Sequence, residues 1–166
     1  MPAFLLDTQI VCYLFDEAAP EHANVKEHYR RVPAENQLFI SSITIGEIAF
    51  GHAKADGADL QKQQKLQEWL KFTFPFIIDV TKVTAPYYGE IRGNLFRKFA
   101  PKGKGRRPES CYDPATSKEL GIQENDLWIA SQAYEKNLCL VTNDKMNRIQ
   151  EVTESLIVFK NWTRFP

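Results

Sequence analysis

Four acidic residues, Asp7, Glu47, Asp126 and Asp144, follow predicted strands or begin predicted helices, and they are the side chains best suited to chemistry. Carboxylates a few ångströms apart raise each other's pKa unless a cation lies among them. Hard oxygen ligands of this kind suit Mg²⁺, with Mn²⁺ as an alternative ion. The four acids therefore form a candidate metal site if the fold brings them together.

Apolar and β-branched runs alternate with stretches of helical periodicity along the chain. Five runs predict strands, at Phe4–Leu6, Leu38–Ser41, Phe76–Val80, Leu138–Thr142 and Leu156–Phe159. The stretches with helical periodicity are Pro20–Arg31, Ile43–Ala55, Asp59–Phe72, Ala85–Phe99 and Asn125–Lys136. This alternation predicts an α/β fold, with a short and mainly parallel sheet covered on both faces.

Parallel strands share one edge at their carboxyl ends, and ligand sites form there. Asp7 follows the first predicted strand and Asp144 the fourth, while Glu47 opens the helix after the second strand. These three acids are therefore predicted at one edge. Asp126 opens the helix before the fourth strand, so it reaches the site only if that helix points toward it.

Each acid also has a structural explanation that involves no metal. Thr44 to Glu47 match a capping box, and Asp7 and Asp144 could cap the helical turns that follow them. The helix macrodipole favours Asp126 in a first helical turn. Singly these explanations are the more common ones; the case for a metal site depends on all four acids together.

Composition narrows the class of protein. The 166 residues suit one domain over 1–166; 43% are hydrophobic and 25% charged, and the formal net charge is zero. Cys12, Cys111 and Cys139 form no paired motif, which favours free thiols and a cytoplasmic location. We expect neither a signal peptide nor a membrane helix. No glycine-rich phosphate-binding motif indicates a nucleotide cofactor, and the three histidines lie in helical stretches that do not suit metal ligands.

The segment from Ala100 to Gly121 is the long irregular connection of the chain, and glycines and prolines interrupt it. It contains a basic cluster, Lys102, Lys104, Arg106 and Arg107. Such a cluster can hold a nucleic-acid backbone, although a solvated surface loop explains it equally well.

The motifs around the four acids resemble the PIN-domain family, in particular the VapC-like toxins of bacterial toxin–antitoxin pairs. The segments that carry the resemblance are Phe4–Thr8, Ile40–Ile48, Glu124–Ala130 and Leu140–Asp144. Each motif alone is weak, but four in the same order and spacing are specific. Gln9 departs from the asparagine that the family often has there, and the 100–121 segment is longer than in most small toxins of this kind.

The resemblance implies a three-layer α/β/α sandwich and an Mg²⁺-dependent endoribonuclease that hydrolyses RNA phosphodiester bonds. It implies that Asp7, Glu47, Asp126 and Asp144 bind metal and are catalytic, and that Thr142 supports the site. It also implies Arg92 as a basic residue near the cleft, a cognate antitoxin as partner, and a homodimer. The antitoxin is expected in a hydrophobic groove, for which Asp59–Phe72 offers a candidate surface or, equally, a helix packed on the core.

Three other functions fit parts of the sequence. A receiver-like signalling module would use Asp79 as phospho-acceptor, but Asp7 lacks the paired acid that such a domain needs. A PIN-like fold without catalysis would not need the complete set of acids. A PIN nuclease of RNA maturation or turnover is the main enzymatic alternative to a toxin.

Overall fold

The computed structural model describes residues 3–34, 36–100, 110–143 and 146–165. The strands there are β1 (Phe4–Leu6), β2 (Leu38–Ser41), β3 (Ile77–Ile78), β4 (Cys139–Val141) and β5 (Phe159–Lys160). The helices there are α1 (Thr8–Phe15), α2 (His22–Arg31), α3 (Ser42–Ala53), α4 (Gly57–Thr73), α5 (Ala85–Phe99), α6 (Glu124–Glu135) and α7 (Asn147–Thr153). Among these helices none is long and apolar enough to cross a membrane.

The five strands form one parallel sheet in the order β3-β2-β1-β4-β5. At its carboxyl edge, Leu6 of β1 is in register with Ile40 of β2 and with Val141 of β4. The residues that follow these three central strands therefore lie side by side.

Alternating side chains divide the core into two layers, because successive residues of a strand point to opposite faces. Phe4 and Leu6 pack into one apolar cluster with Val11, Val25 and residues of α3 and α4. Leu5 packs into the other cluster, against residues of α5, α6 and α7. The predicted three-layer α/β/α sandwich is confirmed.

Local patterns predicted the central elements best. β1, β2 and α5 have the predicted bounds, whereas β4 is shorter than Leu138–Thr142 and the other predicted helices differ by a few residues at their ends. The prediction for β3 was too long, because this edge strand pairs only with β2. The prediction for β5 was displaced: Ile157 is buried in the turn after α7, and pairing with β4 begins only at Phe159.

The described part of the long connection, 110–121, folds back on itself. Tyr112 and Glu119 form an isolated antiparallel bridge. Arg148 of α7 pairs with Asp113 at 2.7 Å, which ties this segment to the helix layer. The segment thereby packs beside α5 and α6, close to the start of α6.

Candidate active site

Asp7 occupies the turn between β1 and α1 and is buried, with 6% of its surface exposed. Its backbone N–H donates to the carbonyl of Val141 at 2.9 Å, continuing the pairing of β1 with β4. The Thr142 hydroxyl donates to Asp7 Oδ2 at 3.0 Å. The Asp7 side chain makes no capping bond to α1, so the capping explanation does not hold for it.

The surroundings of Asp7 disfavour its negative charge. Burial is the largest cause that raises its pKa, and the negative charges of Asp126 and Glu47 raise it as well. Against the lowering effect of hydrogen bonds from the Thr142 hydroxyl and the Thr8 backbone, the pKa is raised from 3.8 to about 6. Within the described residues, no lysine or arginine pairs with Asp7. A buried carboxylate with like charges around it is the environment that a bound cation would stabilise.

Glu47 lies on the second turn of α3, since this helix begins at Ser42 and is capped by the Ser41 hydroxyl. The predictions that Glu47 opens the helix or belongs to a capping box were therefore wrong. Its carboxylate instead receives two neutral donors: the Thr8 hydroxyl donates to Oε2, and Asn125 Nδ2 donates to Oε1 at 2.8 Å. Residues from α1 and α6 thus hold Glu47 in one orientation.

Asp126 lies in the first turn of α6, as predicted. It borders a cavity of about 260 Å³ that is also lined by Arg148 and by Leu120 and Ile122 of the 110–122 segment. Its negative charge is one of the causes that raise the pKa of Asp7, the residue that follows β1.

Arg92 lies on α5 and pairs with Glu124, the first residue of α6, at 2.8 Å. Tyr88, one turn earlier on α5, donates its hydroxyl to the same carboxylate. The ring of Tyr88 stacks on Trp128 with centroids 4.1 Å apart. These contacts join α5 to the turn of α6 that carries Asp126.

Asp144 and the basic cluster Lys102, Lys104, Arg106 and Arg107 lie outside the described residues. Within the described ranges, no three His, Cys, Asp or Glu side chains are grouped closely enough to hold a metal ion. The donor chemistry of Asp7, Glu47 and Asp126 nevertheless fits Mg²⁺, because all three supply hard oxygen atoms and two of them raise the pKa of the third.

Sequence reasoning missed the residues that orient the acids. Thr8 and Asn125 each adjoin a predicted ligand in the sequence, and both contact Glu47. Asn143 adjoins Asp144 in the sequence, and its Nδ2 donates to Gln9 Oε1 at 2.5 Å. A polar side chain next to Asp7, Asp126 and Asp144 in the sequence was the available indication.

Comparison with known proteins decides the family. The family model of the PIN domain matches residues 4–153. The chain belongs to the PIN domain family. The matched range includes all four acids that the sequence singled out, together with both layers of helices.

Similar proteins extend the PIN assignment over nearly the whole chain. Ribonuclease VapC2 of Rickettsia felis is 29% identical over 163 residues, which are 97% of this chain and 98% of that protein. The crystal structure of VapBC2 from Rickettsia felis, bound to a DNA fragment from its promoter, matches with a TM-score of 0.66 and 30% identity over 96% of this chain and 98% of that chain. DNA-bound VapBC from Salmonella typhimurium matches in fold with a TM-score of 0.68 and 21% identity, over 98% of this chain and 99% of that chain.

Proposed function

We propose that this PIN domain is an Mg²⁺-dependent endoribonuclease and the toxin of a toxin–antitoxin pair. The observation that carries the proposal is the Asp7 carboxylate, buried at a strand end where the charges of Asp126 and Glu47 raise its pKa. A site of this kind binds cations. Likeness to Ribonuclease VapC2 over nearly the full length of both chains supports RNA as the substrate.

The bound ion would lower the pKa of the attacking water and stabilise the charge on the leaving oxygen of the phosphodiester. Asp7, Asp126 and Asp144 are the proposed direct ligands, with Mn²⁺ as an alternative ion. Thr142 holds the Asp7 carboxylate through its hydroxyl.

Glu47 has a role in this proposal that differs from that of the three direct ligands. Thr8 and Asn125 occupy one position on each of its carboxylate oxygens, and each ionised oxygen can accept a further hydrogen bond or contact. Glu47 would use that capacity to orient the attacking water or to bind the ion. Because the neutral donors fix its direction, Glu47 is oriented before substrate arrives.

RNA would be held by basic groups around the acidic edge. Arg92 is half-buried and uses one nitrogen on Glu124, which leaves other guanidinium N–H groups free to donate. We assign the basic cluster of the 100–121 segment to the RNA backbone, since positive charge there would offset repulsion between the acidic site and a polyanion. The members of this cluster are Lys102, Lys104, Arg106 and Arg107.

The antitoxin is assigned to a groove between α1, α2 and α4. Leu14, Phe15 and Trp69 line this cavity of about 560 Å³, and charged residues of α2 surround it. Trp69 packs against Phe15 with centroids 5.4 Å apart, so it is also part of the core. Phe72 at the end of α4 is an exposed aromatic residue, with 88% of its surface accessible. Similarity to chains of VapBC complexes supports an antitoxin, and a homodimer and a cytoplasmic location complete the proposal.

The test is cleavage of single-stranded and structured RNA by the purified chain, with Mg²⁺ and with EDTA. We expect cleavage only with the metal, and loss of cleavage in Asp7→Asn and Asp126→Asn. Asp79→Asn is the matched control, because Asp79 is exposed beside the edge strand β3. Equal cleavage by wild type and Asp7→Asn, or cleavage that persists in EDTA, would contradict the proposal.

The toxin assignment needs its own experiment. Expression of the chain alone should arrest growth, and co-expression of the small protein encoded beside it should restore growth. A chain that leaves growth unchanged yet cuts RNA would instead favour a PIN nuclease of RNA maturation. PIN family membership excludes the receiver-like module, and β2 separates β3, with Asp79 at its end, from β1 and Asp7.

A further inference from the structure

A concave site beside α5 contains none of the acids that are proposed to bind the ion within the described residues. It is a cavity of about 500 Å³ between α5, the start of α6 and the 110–122 segment, within the size range of small-molecule sites. Its apolar lining comes from Leu95, Leu120, Ile122 and Leu127. Leu95 and Leu127 are fully buried, so the interior of the cavity is apolar.

This cavity adjoins the site of the acids. Leu120 and Ile122 line both it and the smaller cavity that Asp126 borders. The first turn of α6 also faces both spaces, since Glu124 lines the larger cavity and Asp126 the smaller one. A molecule bound across this shared wall would contact both cavities at once.

We infer that the larger cavity is a subsite for the base of a nucleotide that flanks the scissile phosphate. This inference rests on the proposed nuclease function. RNA has a shape that fits both cavities. With a phosphate near Asp126, the neighbouring base would extend past Leu120 and Ile122 into the larger cavity. Flat, weakly polar bases suit an apolar interior.

An exposed aromatic ring supplies a surface for stacking. Phe96 lines the cavity and is 43% exposed, although it belongs to a helix whose other aromatic residue at the C-terminal end, Phe99, is buried. Base–aromatic stacking is a general means of holding single-stranded nucleic acid. Phe96 is thus available to stack on a base that enters the cavity.

Polar groups at the opening match the edges of a base. Arg92 uses one nitrogen on Glu124, while Glu119 accepts from the Ser110 hydroxyl at 2.6 Å, and both retain further hydrogen-bonding capacity. An arginine fork pairs best with guanine O6 and N7. On an unpaired guanine, a carboxylate can also accept from N1–H and N2–H₂ of the Watson–Crick edge. We therefore assign guanine as the preferred base.

Cys111 reports on occupancy without any need for cleavage. It lines the cavity as a partly exposed free thiol. Iodoacetamide alkylates Cys111 in EDTA, and mass spectrometry measures the rate of this reaction. The reaction is run with pentaribonucleotides UUNUU, in which the central position N carries each of the four bases or no base. Cys12 serves as the internal control, because it lies outside the cavity. We expect the guanine pentamer to slow the Cys111 reaction most, and the abasic pentamer to leave it unchanged.

Variants then test the subsite in catalysis. A Cβ at Gly89 of α5 meets no atom within 4 Å, so Gly89→Phe fills the cavity without a clash at its Cβ and strengthens the helix. Glu90→Phe is the control, because it adds the same ring at the next residue of α5, which does not line the cavity. We expect Gly89→Phe to lower kcat/KM on guanine-containing RNA and to abolish selectivity at one position beside the cut.

Phe96→Ala tests stacking and should weaken binding of the guanine pentamer roughly tenfold. Phe165→Ala is its control, because Phe165 is 84% exposed and lies outside the cavity. Equal Cys111 protection by all pentamers including the abasic one, or protection by the antitoxin alone, would overturn the subsite. So would unchanged selectivity in Gly89→Phe. These outcomes are separate from the nuclease proposal, which is tested by metal-dependent cleavage and by its loss in Asp7→Asn.

Discussion

Replacing Asp7 by asparagine should abolish RNA cleavage and yet stabilise the metal-free protein. The folded state holds the pKa of Asp7 at about 6, against 3.8 for the unperturbed carboxyl. Each tenfold change in the dissociation constant corresponds to about 1.4 kcal/mol, so this difference corresponds to about 3 kcal/mol. Asparagine carries no charge to desolvate, and its Oδ1 can still accept the hydrogen bond from Thr142.

The sign of the pH dependence follows from the raised pKa. The native state binds the Asp7 proton more tightly than the unfolded state does, so ionisation destabilises the fold as pH rises from about 4 through about 6. In EDTA at pH 8, the free energy of unfolding of Asp7→Asn should therefore exceed that of wild type by up to about 3 kcal/mol. For a chain of this size that corresponds to an increase in Tm of roughly 6–12 °C. Below about pH 4 the two proteins should have the same stability.

The assay is denaturant unfolding of wild type and Asp7→Asn from pH 4 to 8 in EDTA. Taking the difference between the two proteins removes the contributions of Asp16, Asp113 and Glu151, whose pKa values are lowered. Asp79→Asn, at an exposed carboxylate, should show no such gain. Mg²⁺ should raise the stability of wild type much more than that of Asp7→Asn. A difference that stays flat with pH would refute the view of Asp7 as a destabilised buried anion.

Three further predictions follow from the site. Asn125→Ala should lower kcat roughly 10- to 100-fold with little change in Tm, because Glu47 loses the donor on its Oε1. Asn125→Asp should lower kcat further, because it adds a repelling carboxylate; equal activity of all three proteins would contradict the orienting role. Neutralising the basic cluster should flatten the slope of log RNA affinity against log salt by up to about 3, because each lost phosphate contact contributes about 0.7. An unchanged slope would contradict a role of this cluster in RNA binding. The variant for this test carries neutral substitutions at Lys102, Lys104, Arg106 and Arg107. Light scattering at micromolar concentration should give a dimer, and a monomer would contradict that part of the proposal.

Local sequence patterns determined the elements that carry the acids. The runs Phe4–Leu6 and Leu38–Ser41 are apolar enough to form strands of a covered parallel sheet, and both have the predicted bounds. Parallel pairing of β1 with β2 and β4 then places the residues after them at one edge. This is why the sequence predicted Asp7, Glu47 and Asp144 at one edge, whereas the position of Asp126 depended on the direction of the helix before β4.

Elements at the sheet periphery could not be predicted as well. Ile157 and Phe159 have similar apolar character in the sequence, but only the second lies in β5. The difference arises from what each residue contacts: Ile157 packs in the cluster under α6 and α7, whereas Phe159 pairs with Leu140. Such a choice depends on long-range contacts and leaves no local pattern.

Only the tertiary structure decided how the candidate site is oriented. Glu47 receives its donors from Thr8 and Asn125, which are 39 and 78 residues away along the chain. The pairing of Arg92 with Glu124 spans 32 residues. The raised pKa of Asp7 depends first on burial, a property of the whole packed assembly. Residue types and spacing thus determined which side chains could perform chemistry, while burial and contacts between distant segments determined the direction and charge of each one.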